Sequence, residues 1–134
     1  MMKLRNVIFA LLGAGGLLAK GSYAGPWREF VHSYGGNLSV SFALYFAAIN
    51  ATERCRRPRL VAALAVLAAV TSFELTDGFG VMANVYDPGD LLANAVGVGL
   101  AVLLDPVTSR LIGGRHGGSA VRGQALPTDP SKVV

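Results

Sequence analysis

Four stretches of this chain run for fourteen residues or more without a charged side chain: Asn6 to Ala19, Leu38 to Thr52, Leu60 to Phe73, and Leu91 to Leu104 behind Pro88. Apolar blocks of that length, rich in Leu, Ala, Val and Gly and lacking a regular polar face, leave few folds open. In hydrocarbon each backbone N–H and C=O must be satisfied inside the protein, which favours helices. Fourteen residues fall short of the roughly twenty that cross a core of about 30 Å, but flanking Lys and Arg side chains snorkel outward and extend the reach. Composition agrees, with 15% of residues charged against roughly a quarter in soluble domains. With 134 residues there is room for one compact unit. The expected fold is therefore all-α: a four-helix transmembrane bundle over 1–112, then a basic Gly/Pro/Ser-rich tail over 113–134 that reads as disordered.

Basic residues set the expected orientation, since Lys and Arg concentrate in cytoplasmic loops. Lys3 and Arg5 precede the first segment, Arg54, Arg56, Arg57 and Arg59 lie between the second and third, and Arg110, Arg115, Arg122 and Lys132 follow the fourth. Only Lys20 and Arg28 fall in the other loops. Both ends are thus expected in the cytoplasm, in a multi-pass protein of the cell (inner) membrane. The first segment also resembles a signal-peptide core, with Ser22-Tyr23-Ala24 as a small-residue cleavage site; an uncleaved first helix is the expectation. Cys55 is the sole cysteine, so it forms no intrachain disulfide. The arginine run beside it is too short and too flanked by apolar sequence for nucleic acid.

Carboxylates crowd one place. Glu74, Asp77, Asp87 and Asp90, half of the acidic residues, fall within seventeen positions beside an apolar run carrying Asn94 and Gly97. Ionised groups at membrane depth are expensive and mark functional candidates. Asp87 before Pro88 reads as a helix cap, and Asp90 in the first turn balances the helix dipole. Capping does not explain Asn94, one turn deeper on the face of Asp90. An antiparallel pair of helices joined by a short outer loop brings Glu74, Asp90 and Asn94 to one level. With Asp77 they form the candidate ligand site, and His32 is a further candidate ligand or proton carrier. Helix packing is assigned to two small-residue ridges, Ser39, Ala43 and Ala47, and Ala93, Gly97 and Ala101. Asn37, Ser41 and Tyr45 form a hydrogen-bonding stripe between helices. Asp105-Pro106 is expected to end the fourth helix. No zinc, nucleotide, kinase or nucleophile motif occurs, so the residues call for no metal or cofactor and name no reaction.

The track Asp90-x-x-x-Asn94-x-x-Gly97, preceded by Glu74, resembles the VanZ-like family of small membrane proteins, in which an E-x-x-Q precedes a D-x-x-x-N-x-x-G. Asp77 stands where that family usually has Gln, and its intervening arginine has no counterpart, since no basic residue occurs from Leu60 to Leu104. His32 is similar to a histidine the family often carries ahead of the second helix. The specific resemblance covers about Glu74 to Leu104. It implies an integral membrane protein of the bacterial envelope, in a family named after a member linked to teicoplanin resistance.

Three functions follow as expectations. One is a VanZ-like envelope protein whose outward-facing acidic site binds an envelope lipid, a precursor or a glycopeptide-type ligand. Another is a non-catalytic packing or assembly subunit that uses the small-residue faces on a membrane-protein partner. The third is an exported soluble helical domain released by cleavage at Ala24.

Overall fold

The computed structural model describes residues 2–76 and 87–113. Four helices follow one another: α1 (Met2–Ala19), α2 (Arg28–Ala51), α3 (Pro58–Leu75) and α4 (Pro88–Gly113), with a 3-10 turn at Lys20–Ser22. No strand occurs among the described residues. Three stretches are long and apolar enough to cross a membrane: Met2–Ser22, Pro58–Leu75 and Pro88–Ile112. The helices outrun the uncharged segments because charged residues at their ends, Arg5 and Arg59 among them, are themselves helical.

α2 falls outside that apolar set, and its place in the bundle accounts for this. It starts at Arg28, ten residues ahead of its uncharged run, and carries Arg28, Glu29 and His32 in its first turns. The helix touches α1, α3 and α4, so its stripe of polar residues meets protein. Ser41 and Tyr45 are completely buried. Chain direction reverses before α2 through Trp27, which sits in the left-handed region at φ 65°, a conformation uncommon for so bulky a residue.

Asp87 accepts the N–H of Gly89 at 2.8 Å, with Pro88 as the first residue of α4. That is the cap the Asp-Pro pair implies. The far end of α4 departs from expectation: Asp105-Pro106 does not stop the helix, which continues through Pro106 to Gly113. A proline removes one N–H and crowds the carbonyl four residues back, yet neighbouring side chains can steady the backbone around it. Here Thr108 Oγ1 donates to the Leu104 carbonyl at 2.7 Å, and Ser109 Oγ to the Asp105 carbonyl at 2.6 Å. Arg5 reaches the same Asp105 carbonyl from α1 at 3.0 Å. Of the expected tail, only Gly113 belongs to the described residues.

Tyr45, Phe46 and Ile49 of α2 form the core with Ala62, Val66 and Val70 of α3 and Val98 and Ala101 of α4. Phe9 of α1 stacks on Phe46 with ring centroids 4.7 Å apart. Two glycines set the helix spacing. A Cβ at Gly13 would lie 2.8 Å from Ala43 Cβ and 2.9 Å from the Ser39 carbonyl, and one at Gly97 would collide with the Leu38 carbonyl. Small residues allow such approaches between membrane helices. The surface is inverted relative to a soluble protein. Leu11, Leu12, Leu64, Leu92, Leu103 and Leu111 are exposed, whereas Arg5, Asn6, Ser41, Glu74, Asn94 and Asp105 are buried. Large apolar side chains exposed in such number fit contact with a membrane or a partner; together with the three apolar helices they support a helical membrane protein.

Candidate functional site

Glu74 lies in the last turn of α3, and Asn94 in the second turn of α4. The structure brings both to one cleft of about 410 Å³ between α2, α3 and α4. Glu74 is 4% exposed and Asn94 3%. Asn37 of α2 completes the polar lining, while Val40, Leu44, Val70 and Phe73 supply apolar walls. Ser41 donates to Asn94 Oδ1 and lies 2.6 Å from the Asn37 carbonyl, sharing one proton between two acceptors. This fixes Asn94 against α2 and leaves its amide N–H groups as donors. A carboxylate and two carboxamides at the end of an apolar cleft can accept and donate hydrogen bonds to the polar end of an amphiphile.

The other expected site residues are placed apart. Asp90 is half-buried in the first turn of α4 and does not line this cleft. His32 is near the start of α2, its Nε2 3.1 Å from the Tyr23 carbonyl. Asp77 lies outside the described residues. Among the packing residues, Ala93, Gly97 and Ala101 are all buried on α4. Ser39 and Ala43 meet Gly13 and Gly16 of α1, but Ala47 is exposed. The stripe on α2 does act between helices, through Ser41 to Asn94 and Tyr45 to Asp105.

Sequence reasoning missed a second polar centre at the opposite end of the bundle. Asp105, 2% exposed, is held by Arg5 of α1 through Oδ1 and by Arg59 of α3 at 2.6 Å through Oδ2. Tyr45 of α2 donates to it at 3.4 Å. One carboxylate thus ties all four helices. Arg5 spends its remaining N–H groups on Asn6, Thr108, Ser109 and the Asp105 carbonyl, and Asn6 donates to Asn50 at 2.7 Å. Among the described residues no buried side-chain N or O lacks a partner. The available signal was an acid at the basic end of the fourth segment, level in an up-and-down bundle with Arg5 and Arg59. Reading Arg5 and Arg59 only as orientation markers, and Asp105 only as a helix end, concealed it.

Among the described residues no three His, Cys, Asp or Glu side chains are grouped to hold a metal ion. Compared with known proteins, the chain matches no family model, no curated protein and no solved structure.

Proposed function

We propose that this chain is a four-span, VanZ-like protein of the cell membrane, both ends cytoplasmic, whose outer cleft binds the polar end of an envelope lipid, precursor or glycopeptide-type ligand. One observation carries the reading: two almost fully buried polar side chains on different helices, Glu74 and Asn94, line one apolar-walled cleft. Orientation is supported by the basic end of the bundle. Lys3, Arg5 and Arg59 meet Glu53 and Asp105 there, while Glu74 sits fifteen residues of α3 away from Arg59, about 22 Å at 1.5 Å per residue. The small-residue ridges are largely used up inside the chain, which weakens the assembly-subunit alternative.

The ligand chemistry follows from Glu74. A carboxylate accepts from an N–H donor, and hydrogen bonds to charged groups contribute about 1.5–3 kcal/mol, tenfold or more in affinity. Phosphatidylethanolamine carries such a donor in its ammonium group; phosphatidylcholine has the same phosphate but no N–H. Native mass spectrometry of the full chain in mixed lipid is expected to show phosphatidylethanolamine retained roughly tenfold over phosphatidylcholine. Glu74→Gln should erase that preference and Asp90→Asn should keep it. Equal retention of the two lipids, or a preference indifferent to Glu74→Gln, refutes the reading.

A further inference from the structure

At the basic end a second cleft, of about 450 Å³, opens beside the buried ion cluster. Met2, Arg5 and Asn6 line it from α1, Glu53 and Arg57 from the α2–α3 loop, and Arg59 from α3. Charge there does not balance. Asp105 is shared by two guanidinium groups, so one positive charge in the cluster has no counter-charge among the described residues. Arg5 is 6% exposed and its N–H groups are engaged, which leaves the surplus on Arg59, whose side chain is 49% exposed. Arg59 gives Asp105 its Nε, and its two Nη groups have no hydrogen-bond partner among the described residues. Arg57 is exposed on the same cleft, likewise unpaired among the described residues, while Glu53 is engaged by Lys3 at 3.3 Å. Two arginines lining one cavity, each with N–H groups to spare, supply the charge and donors that suit a phosphate. Apolar surface at Leu4, Leu60 and Leu111 adjoins this end of the bundle, where hydrocarbon chains would lie.

We propose that this cleft binds the phosphate of an anionic phospholipid headgroup, with Arg57 and Arg59 as its ligands. The inference is independent of the Glu74 cleft at the other end of α3. It also differs from diffuse attraction of a basic loop to an anionic surface, because Arg54 and Arg56, on that same loop, do not line the cavity.

The test uses native mass spectrometry of the full chain with phosphatidylglycerol and phosphatidylcholine as probes. One phosphatidylglycerol should be retained in preference to phosphatidylcholine, and Arg57→Gln should lower its affinity about fivefold. The Arg54→Gln, Arg56→Gln double variant, which removes two charges outside the cavity, should change it less than about twofold. Inorganic phosphate in millimolar excess should fail to displace the lipid. An equal or larger loss in the double variant overturns the proposal in favour of diffuse charge. Displacement by inorganic phosphate overturns it in favour of a free anion, and an unchanged affinity in Arg57→Gln removes the site altogether.

Discussion

Replacing Asp105 by Asn should be the most damaging single change at the basic end of the bundle. The substitution keeps size and shape but removes the only carboxylate bonded to Arg5 among the described residues. Arg5 is 6% exposed, so its charge cannot turn to water. Breaking a buried pair by removing one partner costs about 3–5 kcal/mol, mostly because the survivor stays buried and uncompensated. Arg59, half in solvent, should behave differently: Arg59→Gln leaves the Arg5–Asp105 pair in place and strands no buried charge, so it should cost clearly less than Asp105→Asn. Removing both buried charges at once, in Arg5→Met with Asp105→Leu, should recover most of the loss, since apolar replacement of a whole buried pair is often neutral or better. Unfolding of the purified protein by SDS in mixed micelles, followed by circular dichroism, gives the three free energies. If Asp105→Asn costs less than about 1 kcal/mol, or the double variant is no more stable than Asp105→Asn, the ion cluster is not holding the helices together as described.

Gly97→Ala should cost about 1–3 kcal/mol in the same assay, because its Cβ meets backbone, the Leu38 carbonyl, which cannot swing aside. Gly99→Ala, with nothing within 4 Å, should be neutral or stabilising by up to about 1 kcal/mol through helix propensity; equal effects at the two sites would contradict the α2–α4 approach. Reporter fusions after Arg57 and Val134 should read cytoplasmic and one after Gly80 external, and an external C-terminus would reverse the proposed topology.

How much of this was legible in the sequence depends on which force decides each feature. Helical content followed from uncharged length, and the α4 cap from Asp87-Pro88, because both are set by local chemistry. The meeting of Glu74 and Asn94 in one cleft followed from simple antiparallel geometry. Asp90 shares a helical face with Asn94, yet it stays out of the cleft: one turn nearer the helix end carries it past the cavity that Val40, Leu44 and Phe73 enclose. The passage of α4 through Pro106 depends on Thr108, Ser109 and, above all, Arg5, a hundred residues away, and no local rule reports that. The ion cluster was hidden for a similar reason. Arg5, Arg59 and Asp105 each have an ordinary local explanation, and only the packing of four helices shows that they share one place.

The modest hydrophobicity of α2 also bears on how the chain is built. A segment leaving the translocation channel partitions into lipid according to its own side chains, and α2 brings Arg28, Glu29 and His32 near its start with Asn37, Ser41 and Tyr45 along its length. Of the helices α1, α3 and α4 that it packs against, only α1 has been synthesised when α2 emerges. The close fit of Gly13 against Ser39 and Ala43 covers one side of α2, while the side bearing Ser41 and Tyr45 stays open until α4 arrives. On the four-span reading, then, the α1–α2 hairpin enters the bilayer as one body, before the α4 partners of Ser41 and Tyr45, Asn94 and Asp105, have been made.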